Sequence, residues 1–149
     1  MRDDSSISLT RQGHLLIQLG VALFLFVTLQ GLVIQNFAVP TLGRAAHTLS
    51  LSSGLVLLGI GLIWPRLKLG VTATRLAFAF LVYSLLATIV AFLLAAIWGA
   101  GNTVLPLAAG SSHGTALQEN IIAAVLVSTL PFAPINATTR GTVVTGVPV

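Results

Sequence analysis

The feature that most constrains this chain is a succession of apolar runs, each about as long as a bilayer is thick. Between Leu15 and Val39 there is no Asp, Glu, Lys or Arg, and the same holds for 45–64 and 76–98. A helix rises about 1.5 Å per residue, so about 20 such residues cross a hydrocarbon layer of about 30 Å. A soluble core has no use for runs of this length. With 56% hydrophobic residues, 7% charged residues and a mean hydropathy of +1.02, the chain is read as embedded in the lipid bilayer.

Its 149 residues leave room for one domain and four crossings. The sequence predicts an all-α, polytopic four-transmembrane-helix bundle with spans at 14–37, 45–64, 75–98 and 115–131. Residues 1–12 and 135–149 are read as flexible tails. Pro40 and Gly43 suggest a turn, Pro65 stops the second span, and Pro131 and Pro134 stop the fourth. Thr115-Ala116-Leu117-Gln118 has the pattern of a capping box that opens the last helix. Trp64 is placed at the interface, where indole rings prefer to lie. The first run is too long for a cleavable signal.

A net charge of +4 invites a nucleic-acid reading, but the seven Lys and Arg residues are scattered between apolar runs, so no nucleic-acid partner is expected. They serve better as topology signals. Arg2, Arg11, Arg66, Lys68, Arg75 and Arg140 fall on one side of the predicted arrangement and Arg44 alone on the other, which places both termini in the cytoplasm. The absence of cysteine removes disulfides, thiolate metal sites and cysteine nucleophiles. No phosphate-cradling glycine loop, nucleophile elbow or paired carboxylates support a hydrolase or a nucleotide-dependent enzyme.

His47 is the most informative side chain, because an ionisable group near the head of an apolar span is costly and usually has a partner or a task. At helical spacing His47, Ser50, Gly54 and Gly61 share a face, a small-residue stripe that admits a neighbouring helix or a flat ligand. The plain alternative is a headgroup-level histidine bonded to a loop carbonyl. Glu119 is the only acid beyond the N-terminal tail; helix capping accounts for it, and a proton carrier or ligand-orienting group is the functional alternative. Tyr83 and Thr88 place hydroxyls inside the third span, where they face either a pocket or their own backbone. Gln18, Gln30, Gln35 and Asn36 suit interhelical hydrogen bonds. His14 and His113 fall at opposite ends and share no metal.

Four stretches carry a resemblance: Arg11-Gln12-Gly13-His14 with Ile17-Gln18-Leu19-Gly20, Gly61-Leu62-Ile63-Trp64-Pro65-Arg66-Leu67, Leu93-Leu94-Ala95-Ala96-Ile97-Trp98-Gly99-Ala100-Gly101, and Gly114-Thr115-Ala116-Leu117-Gln118-Glu119. In order and spacing, from about residue 11 to 130, the chain resembles the hydroxylaminobenzene mutase family, small membrane isomerases. It is more distantly similar to the styrene oxide isomerases. That resemblance implies a homo-oligomer, with a trimer as the form it suggests, haem b between subunits and iron bound by the histidine matching His47, beside Ser50 and Gly54. It also implies an internal rearrangement of a small aromatic substrate, an aryl hydroxylamine becoming an aminophenol or an aryl epoxide becoming an aldehyde, with haem acting as a Lewis acid.

The chain departs from the family pattern at three places. An asparagine six residues after the histidine is Ser53 here, a polar third-helix position is Thr88, and a following tyrosine falls near Phe92. Ser53, Tyr83, Thr88 and Glu119 are therefore the candidate catalytic residues. The substitutions also leave open a non-catalytic reading, a transporter or channel subunit or an assembly partner on the same scaffold.

Overall fold

A computed structural model describes residues 4–67 and 70–130, with side chains from residue 8 onward. Five α-helices follow one another: α1 Asp4–Val33, α2 Pro40–Ile63, α3 Val71–Trp98, the short α4 Pro106–Ala109, and α5 Ala116–Ser128. Single 3-10 turns, Ile34–Asn36 and Trp64–Arg66, follow α1 and α2. The described residues contain no strand.

Three segments, Ser8–Asn36, Pro40–Arg66 and Val71–Trp98, are long and apolar enough to cross a membrane. Their outer faces carry exposed Leu25, Leu29, Leu32, Leu55, Leu62 and Leu76. Water would reject such a surface, whereas lipid accepts it, so the chain is a helical membrane protein. The fourth expected span begins where the sequence puts it, but its described helix has 13 residues, about 20 Å. That is shorter than the hydrocarbon core, and three spanning helices stand among the described residues. The end of the expected fourth span and the C-terminal tail lie outside the described residues.

Local chemistry explains each boundary. Pro40 and Gly43 do not make the expected turn: Pro40 is the first residue of α2, where a missing N–H costs nothing, and Gly43 lies inside the helix against Phe37. Gly99 ends α3 in the left-handed conformation (φ 66°), with Ala100 N–H closing back on Ala95 C=O. The Thr115 capping box is formed in both directions, Gln118 N–H to Thr115 Oγ1 at 3.3 Å and Thr115 N–H to Gln118 Oε1 at 2.8 Å. α1 starts well before the expected position 14, so the polar stretch through Gln12 is helical rather than a loose tail.

α1 and α2 form the tightest pair, antiparallel and touching at glycines. A Cβ on Gly20 would stand 2.8 Å from Gly54 O, and one on Gly13 would stand 2.9 Å from Gly61 O. Both pairs repeat at seven residues, the interval that keeps one helix face against a partner in a left-handed supercoil. The next position on the α2 stripe is His47. α3 packs on the other side of α2, and Val39 N–H donates to Ala96 C=O at 3.1 Å, tying the α1–α2 connection to the last turn of α3.

Trp64, at the end of α2, is 4% exposed, packed inside the protein. Its Nε1–H donates to Gln12 Oε1 at 3.0 Å, and its ring meets Phe78 edge to face with centroids 6.1 Å apart. An indole whose N–H has an internal partner gains by burying its apolar body.

Candidate functional site

His47 lies in the second turn of α2, with its ring against Gly31 of α1. A Cβ on Gly31 would be 3.4 Å from His47 Cε1 and 3.9 Å from Nδ1, so the position holds the ring at ordinary contact distance and leaves no room for a longer side chain on that side. Nδ1 is buried with no hydrogen-bond partner, while Nε2 is not enclosed in this way and the residue as a whole is half-buried. The expected alternative, a histidine held by a loop carbonyl, is thus not what the structure contains. One nitrogen is directed inward and the other is free to take a ligand.

The described residues hold no group of three or more His, Cys, Asp or Glu side chains able to bind a metal ion. A lone histidine does not assemble a coordination sphere for a bare ion. It does suit a macrocycle that brings its own ring of donors and needs one axial ligand, as haem does.

The small-residue stripe beneath His47 is taken up by the neighbouring helix. Gly54 packs on Gly20 O and Leu23, and Gly61 packs on Gly13 O and Ile17. Ser50 is fully buried and donates its hydroxyl hydrogen to Ala46 C=O at 2.8 Å. Of the three residues assigned to a cofactor, His47 alone presents an uncommitted group.

Of the four candidate catalytic residues, two return their hydroxyls to structural bonds. Thr88 Oγ1 donates to Ser84 C=O at 2.7 Å, one turn back on α3. Counting eight residues along each helix from the Val39–Ala96 bond puts Thr88 at the same depth as His47. Tyr83 is half exposed and its hydroxyl lies 2.7 Å from Ser128 Oγ. Ser128 gives its own hydrogen to Val125 C=O at 2.6 Å, so Tyr83 donates and keeps its lone pairs free. Ser53 is 2% exposed within the bundle, six residues deeper along α2 than His47. Phe92, at the family's tyrosine position, packs with Val39, Leu42 and Ala96.

Glu119 stands apart from this group. One carboxylate oxygen accepts the backbone N–H groups of Gly101 (2.8 Å), Asn102 (3.2 Å) and Gly114 (3.3 Å), and the other accepts Thr103 N–H at 3.1 Å. Desolvation by itself would raise its pKa. The bonds from Thr103, Gly101 and Gly114 outweigh it and hold the pKa at about 2. The group is ionised at neutral pH and gathers the loop between α3 and α5, which accounts for its position without a role as proton carrier.

Gln12 and Gln30 of α1 make bonds to the segment that follows, Gln12 to Trp64 and Gln30 to Gly43, whereas Gln18, Gln35 and Asn36 are exposed. Sequence reasoning missed Gln12, which lies just before the expected start of the first span; its only signal was its place beside Gly13-His14. His14 and His113 are both exposed.

Residues 12–139 match the family model described as styrene oxide isomerase. The chain is 46% identical to hydroxylaminobenzene mutase HabB of Ectopseudomonas oleovorans over 113 residues, which cover 76% of this chain and 69% of that protein. It is 35% identical to hydroxylaminobenzene mutase HabA of the same organism over 112 residues, 75% of this chain and 83% of that one. No solved structure matches the chain significantly.

Proposed function

The chain belongs to the styrene oxide isomerase family and is an isomerase, and from that premise we propose that it rearranges an aryl hydroxylamine to an aminophenol inside the membrane. The substrate class is that printed in the names of the two mutases, and the 46% identity with HabB is what favours it over an aryl epoxide. The observation that supports the cofactor part of the reading is the disposition of His47 inside an apolar span, with Nδ1 enclosed and unpartnered and Nε2 not so enclosed.

In this reading His47 would hold haem through Nε2, and haem, when bound, would supply Lewis-acid chemistry toward the substrate oxygen. The N–O bond breaks, a C–O bond forms on the ring, and the ring proton displaced there is balanced by one gained at nitrogen, with no net redox change. The protein's contribution is positional. Apolar side chains of α1, α2 and α3 concentrate a greasy aromatic substrate and exclude the water that would trap a cationic ring. Tyr83, with free lone pairs and half its surface exposed, is the hydroxyl best suited to receive a substrate N–H, whereas Thr88 and Ser50 are committed to their own helix. Ser53 is too enclosed to touch a ligand on Nε2 of the same protomer.

We further place the N-terminus and the 65–70 connection in the cytoplasm, since Arg11, Arg66 and Arg75 gather at one end of the spans and Arg44 alone lies at the other. The chain assembles in this reading as a homo-oligomer, with a trimer as the family-like form.

The test is an absorption spectrum with haem stoichiometry on detergent-purified protein, alongside an arylhydroxylamine turnover assay. A Soret band at one haem per subunit interface, lost together with turnover in His47→Ala and kept in His14→Ala and His113→Ala, is the expected result. Turnover that persists in a haem-free preparation would overturn the cofactor assignment, and haem without turnover would overturn the substrate assignment.

A further inference from the structure

The described residues contain two buried side-chain atoms without a hydrogen-bond partner, Oε1 of Gln30 on α1 and Nδ1 of His47 on α2. They belong to one seam. Gln30 is 3% exposed, and its Nε2 donates to the carbonyl of Gly43, one turn before His47. Gly31, the residue after Gln30, is the one that faces the imidazole.

The two atoms are chemically complementary. Gly43 C=O can only accept, so the amide nitrogen of Gln30 must face it and the amide oxygen is left directed elsewhere; an amide flip would set oxygen against oxygen. His47 Nδ1 becomes a donor when it carries the ring proton. Leaving both unpaired in an apolar interior forfeits the hydration of each with nothing in return. Few competing groups are at hand, because the hydroxyls of Thr48 and Ser50 donate to carbonyls of their own helix. The Gln30–Gly43 bond is 3.4 Å, at the long limit, so the amide has slack to swing toward the ring.

We propose that Gln30 is a positioning residue for His47: its Oε1 accepts the Nδ1–H hydrogen bond and thereby leaves the Nε2 lone pair for a ligand. A histidine that ligates through one nitrogen generally donates the other N–H to an acceptor that fixes its tautomer, orients the ring and raises its basicity. Here the acceptor is an amide clamped at its other end to the same helix that carries the histidine. The consequence for a bound metal rests on the haem reading above; the consequence for the tautomer does not.

The test uses the full chain labelled with 15N in histidine, in nanodiscs at neutral pH and without haem, with the His47 resonances identified by their loss in His47→Ala. The wild type is expected to hold the Nδ1-protonated tautomer. Gln30→Leu is expected to release it toward the Nε2-protonated form that prevails in water, and Gln30→Glu, which keeps an acceptor, to restore it. Gln30→Met keeps the side-chain length and replaces the Leu variant if that one does not fold. An Nε2-protonated wild type, or a tautomer indifferent to Gln30, overturns the proposal. In haem-loaded protein the ferrous iron–histidine stretch is expected to fall in Gln30→Leu and rise in Gln30→Glu, and an unchanged band overturns the ligand-tuning part. Wild type that takes up no haem defeats the haem reading, while the tautomer result still decides the role of Gln30.

Discussion

The carbonyl oxygen of Gly54 stands 2.8 Å from where a Cβ on Gly20 would be, so α1 and α2 meet there backbone to backbone. The obstacle is main chain, which cannot rotate aside as a flexible side chain could. Gly20→Ala is therefore expected to destabilise the hairpin by about 1–3 kcal/mol through overpacking. Gly59, on the same helix as Gly54, faces open space, and a Cβ there would meet no atom within 4 Å. Gly59→Ala is expected to be neutral or to stabilise by about 0.5–1 kcal/mol. Thermal unfolding in detergent compares the two, and equal effects would contradict the seam.

Gly31 controls the room available to the imidazole rather than the seam itself. A methyl group there would sit 3.4 Å from His47 Cε1, close to ordinary contact, whereas a branched side chain would take the ring's place. Gly31→Ala is expected to retain the ligand properties of His47, and Gly31→Leu to lose haem uptake with little change in helix content. Circular dichroism and the Soret band read the two effects separately.

Glu119 gives a pH-dependent stability of definite sign. Its carboxyl is held at about 2 in the folded chain against 4.5 when unconstrained, so the carboxylate stabilises the fold fully above 4.5 and loses that contribution as the pH falls from 4.5 toward 2. The wild-type unfolding temperature is expected to drop as the pH falls from about 4.5 toward about 2, and Glu119→Gln to flatten that dependence while lowering the plateau. Turnover per folded molecule at neutral pH is expected to survive in Glu119→Gln, since the residue anchors a loop. A selective loss of turnover with unchanged stability would restore the proton-carrier role.

Gln12 tests why Trp64 is buried. Gln12→Leu leaves the indole N–H without its 3.0 Å acceptor in a site that is 4% exposed, a loss of about 1–3 kcal/mol. Tryptophan fluorescence is expected to shift as the ring moves toward the interface, with Trp98→Phe used to isolate the Trp64 signal. Unchanged emission and stability would show that packing on Phe78 alone holds the ring.

Three spans, the capping box at Thr115 and the prominence of His47 were legible in the sequence, because each depends on local pattern: run length, side-chain spacing, or an ionisable group in an apolar stretch. What escaped depended on partners distant in sequence. The helical start at Asp4 and the burial of Trp64 are linked, since Gln12 can satisfy the indole only across 52 positions of chain. Pro40 carries the same local signal at a turn and at a helix start, and only the course of α2 distinguishes them. The small-residue stripe offered a helix or a flat ligand equally well, and the matching glycines on α1 decided for the helix. Gln30 looked like the three other polar residues expected in the first span, Gln18, Gln35 and Asn36, until its orphaned oxygen was considered together with the orphaned nitrogen of His47.

Because the glycine contacts recur at seven-residue steps and His47 occupies the next step after Gly54 and Gly61, the azimuth of the imidazole is set by counting along α2. Inserting one residue between His47 and Gly54 would swing the ring by about 100° and part it from Gly31 and Gln30. Inserting seven would return nearly the same direction but move it about 10.5 Å along the helix. Insertions and deletions in this short segment should therefore be far less tolerated than substitutions of the lipid-facing leucines around it.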